Sequence, residues 1–417
     1  MTEEQNRVQR ESIWNVFMQR FKEFVLPELK QSFSGLKVLL SPKSLFKFGL
    51  FDVTYCIVVF ALTVMGLSMQ YSASYKTSKQ LIFAIMGLII MVVISQLNVE
   101  AIKQLSNAAM LISTILLFVV FAAPEVAGTH RWFFGKLFQP SEIAKVTFVM
   151  FLAYLIDKYK SKKDKPSAFK AFLAITVVYA LLVLMESHLS GCILFLCIGY
   201  AMMWYADLSR KWFTILTVIA IAGATIIVLK PEWLKQLPLI HDYQVDRIVI
   251  WKKVLFNSET ITAKEKLNNA RQVLQSIYGI GSGGLTGAGY GNSGQKISNL
   301  QEASNDFVFA VIGEEFGFIG SVLIMGIYAL LVGRGFYIAT KSKSYYGALI
   351  VLGISTQMAL QVLINISVAT SLLPNTGISL PFVSSGGSSM VFTLASMGLV
   401  LAVSKDVKNT KGVKKHA

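Results

Sequence analysis

Residues 271–320, RQVLQSIYGIGSGGLTGAGYGNSGQKISNLQEASNDFVFAVIGEEFGFIG, run from a glycine-rich loop through an acidic residue straight into an apolar helix. Asp306 sits where polar loop gives way to a stretch long enough to enter a bilayer, and Glu314 and Glu315 follow about two helical turns further in. At about 1.5 Å per residue these glutamates lie about 12–13 Å along the helix from Asp306. Such a reading places them near mid-membrane, where ionisable groups are costly and mark functional sites by default. Each carboxylate also has a structural reading. Asp306, next to Asn305, suits a helix N-cap. Glu314 and Glu315 suit an ion pair or a protonated state, and as neighbours they point about 100° apart, so at most one faces a narrow cavity.

The rest of the chain decides what kind of protein carries this stretch. Of 417 residues 54% are hydrophobic and 15% charged, and the mean hydropathy is +0.58. That composition describes an all-α polytopic membrane protein. Apolar runs near 52–70, 80–97, 105–123, 140–156, 171–185, 189–205, 212–229, 306–332, 346–368 and 388–404 predict about ten transmembrane helices. An even number of spans puts both termini on one side. Short loops on that side hold most of the lysines and arginines, KYKSKKDKPSAFK (158–170) above all, so both termini are expected to be cytoplasmic. The exception is the long outer loop 230–305 between spans 7 and 8, which holds nine Lys or Arg, but long loops cross largely regardless of charge.

The expected organisation is an N-terminal cytoplasmic or interfacial tail (1–50), a membrane domain (51–405) and a short basic tail (406–417). Trp14, Phe17, Phe21 and Phe24 recur at helical spacing among basic residues, which suits a helix at the inner membrane surface. The charged tail is not the pattern of a secretory signal peptide. The net charge of +16 is spread over loops and tails, which argues against a nucleic-acid partner. Cys56, Cys192 and Cys197 lie within apolar spans and read as small buried side chains.

Within the long loop, 230–275 is expected to hold short amphipathic helices, and the glycines of 279–294 permit tight turns or close backbone approach. ATSLLPNTGISLPFVSSGGSSM (369–390) is apolar yet broken by Pro374, Pro381 and a Ser-Gly cluster. Such backbone cannot face lipid, so a re-entrant segment packed on protein or lining a wet cavity is expected. GTHRWFFGKLFQPSE (128–142) brings Arg131 and Lys136 to the outer surface beside Trp132, ahead of Gln139, Pro140 and Glu142. Arginine there suits phosphate oxygens, and equally an interfacial anchor. ESHLSG (186–191) reads as a tight outer turn. His130, His188, His241 and His416 are isolated, so nothing has metal-ligand spacing, and no Walker loop, nucleophile elbow or Cys-His pair is present.

Four pieces in order, RW…QPSE, RQVLQSIYGIGSGGLTGAGYGNSGQK, NDFVFAVIGEEFGFIG and LPNTGISLPFVSSGGSS, resemble the SEDS (shape, elongation, division and sporulation) family over roughly residues 50–405. GYGNSGQK is more similar to the FtsW and SpoVE branch than to the RodA branch. The resemblance implies a peptidoglycan polymerase of the bacterial cytoplasmic membrane, multi-pass, with its active face outside. Such an enzyme joins lipid II units into glycan strands and works with a class B penicillin-binding transpeptidase and other division or sporulation membrane proteins. Asp306 matches the family's essential aspartate, and Arg131, Trp132, Gln139, Pro140 and Glu142 match an outer-loop motif. The sequence departs from the family pattern at Gln301, at Ser304-Asn305, and at Glu186-Ser187-His188, where Gln-Pro-Asp is usual.

The implied chemistry needs one base for a sugar hydroxyl and positive charge for a diphosphate leaving group. Asp306 is the candidate base, or the ligand of a divalent cation such as Mg or Mn; no organic cofactor is expected. Arg131, Lys136, Arg247 and Arg271 are candidate diphosphate partners. Gln272, Lys296, Glu314, Ser384 and Ser385 lie in the same motifs and complete the candidate substrate-binding set. Gly313, Gly317 and Gly320 offer a small-residue face for a partner's helix. Two rival functions remain open on sequence: transport of lipid II, favoured by Glu314 and Glu315, and a non-enzymatic division scaffold.

Overall fold

The computed structural model describes residues 45–412 apart from 75–77, 125–130, 135–136, 163–165, 187, 209, 237–239, 241, 257–269 and 295–303. The expected N-terminal interfacial helix, Lys136 and Lys296 lie outside the described residues. Among those described there are helices and two isolated bridge pairs but no strand.

Twelve helices matter here: α1 (Val53–Ser74), α2 (Ser78–Ser95), α3 (Val99–Val119), α4 (Pro140–Lys158), α5 (Pro166–Met185), α6 (Leu189–Tyr205), α7 (Arg210–Leu229), α8 (Asp242–Phe256), α9 (Arg271–Ser282), α10 (Val308–Lys341), α11 (Tyr345–Ala369) and α12 (Gly387–Gly412). Eight of them are long and apolar enough to cross a membrane. Two others stand where spans were expected. α6 is apolar but shorter, and α4 carries Glu142, Lys145, Asp157 and Lys158. α8 and α9 are the short helices expected in the long loop.

The ends of these helices follow from local chemistry. Pro140 opens α4, with Glu142 in the first turn and Lys158 in the last, as the helix dipole favours. Asn98 caps α3, and Ser344 caps α11 by accepting from Gly347 N at 3.2 Å. Inside the bundle, packing depends on close approach rather than on release of water. A β-carbon on Gly398 of α12 would sit 2.7 Å from the carbonyl oxygen of Met91 on α2, so these two helices pack nearly backbone to backbone.

One end of the bundle gathers ion pairs: Lys47–Asp406 at 2.6 Å, Arg334–Asp52 at 2.7 Å and Lys103–Asp157 at 2.6 Å. The described residues that connect α3 to α4, α5 to α6, α7 to α10 and α11 to α12 gather at the other. There the segment 369–386 is largely buried, as its composition predicted, and left-handed backbone at Ser371 and Phe382 turns it back on itself. Trp251 Nε1 of α8 donates to Ser371 O at 2.9 Å, and Ser276 Oγ of α9 donates to Ala369 O at 2.7 Å. The short surface helices are thereby tied to this segment.

α10 differs most from expectation. It extends to Lys341 and breaks at Gly317, whose φ of 64° and ψ of −163° are not helical. The glycine loop enters the break: Phe318 N donates to Gly284 O at 2.9 Å and Ile319 N to Leu285 O at 3.1 Å. Residues 318–341 alone span about 36 Å, more than the roughly 30 Å of hydrocarbon in a bilayer. Glu314 and Glu315 therefore belong to a short half-helix at the loop end and not to mid-membrane. Two of the three glycines are also spoken for. Gly313 packs on Ile280, Gly317 on Leu285 and Gly287, and a β-carbon on Gly320 would meet Phe316. Gly313 and Gly317 serve this chain's own packing, while Gly320 stays partly exposed beside exposed Phe318 and Ile319.

Candidate active site at the loop end

Three consecutive carbonyls fix the turn that carries Asp306. Ser304 O accepts from Gln70 Nε2 of α1 at 2.8 Å and from Ser385 N at 2.7 Å. Asn305 O accepts from Ser384 Oγ at 2.6 Å, while Ser384 Oγ itself accepts from Leu380 N at 2.7 Å. Asp306 O accepts from Asn365 Nδ2 at 2.9 Å, and the same nitrogen reaches Ile378 O at 2.8 Å. Side chains from α1 and α11 and the buried 369–386 segment thus hold one short turn. The N-cap position of α10 falls on buried Phe307, so Asp306 stands one residue ahead of the capping position.

The half-buried Asp306 carboxylate and the Arg247 guanidinium both approach Gly377. A β-carbon at Gly377 would lie 3.6 Å from Asp306 Oδ2 and 3.9 Å from Arg247 Nη1. Gly377 has a φ of +72°, which glycine adopts without penalty, and a side chain there would come into contact with both groups. Arg247 projects from α8 beside the ring of Tyr243, 5.7 Å from its centroid. Asn375 Nδ2 donates to Gln272 Oε1 at 3.2 Å, bringing α9 to the same wall.

The second wall comes from the start of α4 and the α5–α6 turn. Lys145 pairs with Glu142 at 2.8 Å, both buried. Gln139 N donates to Ser388 Oγ at 3.2 Å, and the Arg131 guanidinium lies 5.9 Å from the Trp132 ring centroid. Glu186 is 1% exposed, with the Ser141 hydroxyl and the Arg131 guanidinium nearby. Burial pushes its carboxyl well above the usual range; Arg131 and Ser141 pull the other way without reversing this. Burial, with Arg131 and Lys145 adding to it, pulls the His188 imidazole down to about 3. Ser190 Oγ donates to Thr376 O and so joins this turn to the residue before Gly377.

The structure thus brings Asp306, Arg247, Gln272, Ser384 and Ser385 to one wall, and Arg131, Trp132, Gln139 and Glu142 to the loop and first turn that form the other. Ser384 is consumed in holding the turn, whereas Ser385 contributes its backbone and leaves its side chain exposed. Arg271 is half-buried on the first turn of α9. Glu314 is turned to the glycine loop, accepting from Ser293 Oγ at 2.5 Å and Gly294 N at 3.0 Å. Glu315 accepts from Ser72 Oγ at 2.5 Å. Sequence reasoning passed over Asn365, Gln361 and Gln357, spaced by four on one face of α11 and all buried. Polar residues at that spacing inside an apolar span were the available signal.

Among the described residues no three His, Cys, Asp or Glu cluster as metal ligands, and the group across Gly377 from Asp306 is a guanidinium.

Comparison with known proteins agrees with this architecture. The family model FtsW/RodA/SpoVE, described as cell cycle protein, matches residues 44–409. The chain is 32% identical to the probable peptidoglycan glycosyltransferase FtsW of Trichlorobacter lovleyi, over 89% of this chain and 97% of the relative. It is 33% identical to stage V sporulation protein E of Bacillus subtilis, over 85% and 97% respectively. Among solved structures, a chain of a peptidoglycan synthase complex that coordinates polymerization and crosslinking superposes with a TM-score of 0.70 at 26% identity, covering 86% of this chain and 98% of that one. The rod shape determining protein RodA of Thermus thermophilus shares the fold, with a TM-score of 0.60 at 24% identity over 85% and 97%. The chain belongs to the FtsW/RodA/SpoVE family of cell cycle proteins.

Proposed function

We propose that this protein is a peptidoglycan glycosyltransferase that polymerises lipid II on the outer face of the bacterial cytoplasmic membrane. Asp306 carries the reading. It is a carboxylate on a turn fixed at three consecutive carbonyls, with the Arg247 guanidinium approaching the same Gly377.

In the proposed step Asp306 takes the proton of the acceptor's 4-hydroxyl as that oxygen bonds to the donor's anomeric carbon. The bond from that carbon to the diphosphate breaks on the opposite face, inverting the configuration, and the lipid diphosphate leaves with the electron pair. Arg247 and Arg131 face the developing negative charge, and fixed cations in a partly dry site stabilise it without reorganising. No covalent sugar intermediate is required and no step is routed through a metal. Arg271, Gln272, Trp132 and Gln139 line the approach. The headgroup reacts at the loop end while the polyprenyl chain stays in lipid.

This reading includes ten spans, with α4 and α6 among them, and places the ion-paired end and both termini in the cytoplasm. Crosslinking falls to a partner, by analogy with the synthase complex a class B penicillin-binding protein. Glu314 and Glu315, engaged with Ser293, Gly294 and Ser72, leave the transport reading without its site. Purified protein given labelled lipid II is expected to yield a ladder of glycan products. Lipid II movement across vesicles with no ladder would overturn the assignment.

A further inference from the structure

A patch of exposed apolar side chains stands where the long loop leaves the membrane, apart from both walls of the site. α7 is long and apolar enough to cross a bilayer, and of its residues only Phe213 is buried in the protein. It ends at Leu229, which is 64% exposed, and the chain turns at once into a short 3-10 helix, Pro231–Gln236. Trp233 of that helix is 55% exposed, with the Lys230 ammonium 5.0 Å from its ring centroid.

α8 returns to the same spot. Lys252 Nζ donates to Leu229 O at 2.9 Å, and Lys235 of the 3-10 helix pairs with Asp246 at 3.1 Å, so α8 is held against the end of α7. Phe256 lies one turn beyond Lys252 on the same face of α8 and is 67% exposed, and Leu255 beside it is exposed as well. Single exposed apolar residues need no explanation, but here four large ones surround the end of a bilayer-crossing helix. Tryptophan and lysine beside such an end suit the headgroup layer, the ring at the apolar boundary and the ammonium among phosphates. Other side chains of α8 serve the site: Trp251 Nε1 donates to Ser371 O, and Arg247 approaches Gly377.

We propose that Leu229, Trp233, Leu255 and Phe256, with Lys230, form a docking surface for the phospholipid headgroup layer of the leaflet at the loop end. The occupant is the bilayer rather than a second protein, because the patch is continuous with the lipid-covered length of α7 and carries the tryptophan and lysine of a membrane boundary. The leaflet becomes a third support for α8, besides Ser371 and Leu229, and so helps to set the depth at which Arg247 stands. This goes beyond the polymerase reading and does not depend on it.

The test places Phe256→Cys in a chain carrying Cys56→Ala, Cys192→Ala and Cys197→Ala, labels it with an environment-sensitive fluorophore, and reconstitutes the full-length protein alone into phosphatidylcholine vesicles. Lipids with a nitroxide at the headgroup or deep in the acyl chain then report depth. The label should emit as from a partly apolar environment and be quenched about twofold or more by the shallow nitroxide, and less by the deep one. Neither signal should change with the protein-to-lipid ratio. Trp233→Cys with the same label should behave alike, and it carries the test if Phe256→Cys does not fold. Water-like emission without quenching would overturn the proposal. Stronger quenching by the deep nitroxide would also overturn it, because the patch would then lie in hydrocarbon. Apolar emission that is not quenched and fades as the protein is diluted would assign the patch to a second copy of the chain instead. Polymerisation is not read, so no outcome depends on the role of Asp306.

Discussion

Replacing Gly287 with alanine tests how the glycine loop is locked into the broken helix. A β-carbon at Gly287 would lie 2.2 Å from Glu315 O and 2.4 Å from Glu315 C, more than an ångström inside normal contact. Neither backbone can yield easily. Ala288 N donates to Glu314 O at 2.9 Å and Gly289 N to Glu315 O at 3.0 Å, on either side of the clash. The φ of +83° adds about 1–2 kcal/mol of left-handed strain for an L-residue. Forcing in the methyl adds about 1–3 kcal/mol, and loss of one ladder hydrogen bond about 1 kcal/mol. The expected destabilisation is about 3–6 kcal/mol, reaching the exceptional range for one substitution. Gly284→Ala is the matched control. Its φ is +53° and nothing lies within 4 Å of the added carbon, so only the strain, about 1–2 kcal/mol, applies. Unfolding of the two purified variants in the same detergent, followed by tryptophan fluorescence, measures the difference. Equal and small losses would refute the interlock.

Two other outcomes follow from the site. Gly377→Ala introduces a methyl between Asp306 and Arg247 at a φ of +72°. It is expected to cost about 1–2 kcal/mol of stability yet at least tenfold in polymerisation rate, so a variant with normal turnover would contradict the geometry. His188 has a folded value lowered to about 3 from 6.5, so the neutral imidazole stabilises the fold. That contribution is complete above pH 6.5 and is lost as pH falls from 6.5 toward 3, at up to about 1.4 kcal/mol per unit. His188→Gln should show a shallower loss of thermal stability between pH 7 and pH 5 than the wild type, and parallel curves would count against it.

Eight of the ten expected spans stand as helices long and apolar enough to cross a membrane, legible because apolar length is a local property, and the position of Asp306 was legible because it marks a local boundary. The break at Gly317 was not. It lies within an unbroken apolar run, and its cause is a loop some thirty residues upstream entering the helix, which no local pattern records. That Gly313 and Gly317 are contact points for α9 and that loop was hidden for the same reason. Glu186 and His188 read as a tight turn, since their burial arises from packing against loops far away in the chain. Lys136 and Lys296 lie outside the described residues.

Polymerisation by Asp306→Asn tests the central claim most directly, because asparagine keeps the side chain's size and hydrogen bonding while removing the base and its charge. The variant is expected to fold with unchanged thermal stability and to make glycan from labelled lipid II about 10²–10⁴-fold more slowly than the wild type. A well-folded Asn variant that yields glycan ladders at the wild-type rate would contradict the account.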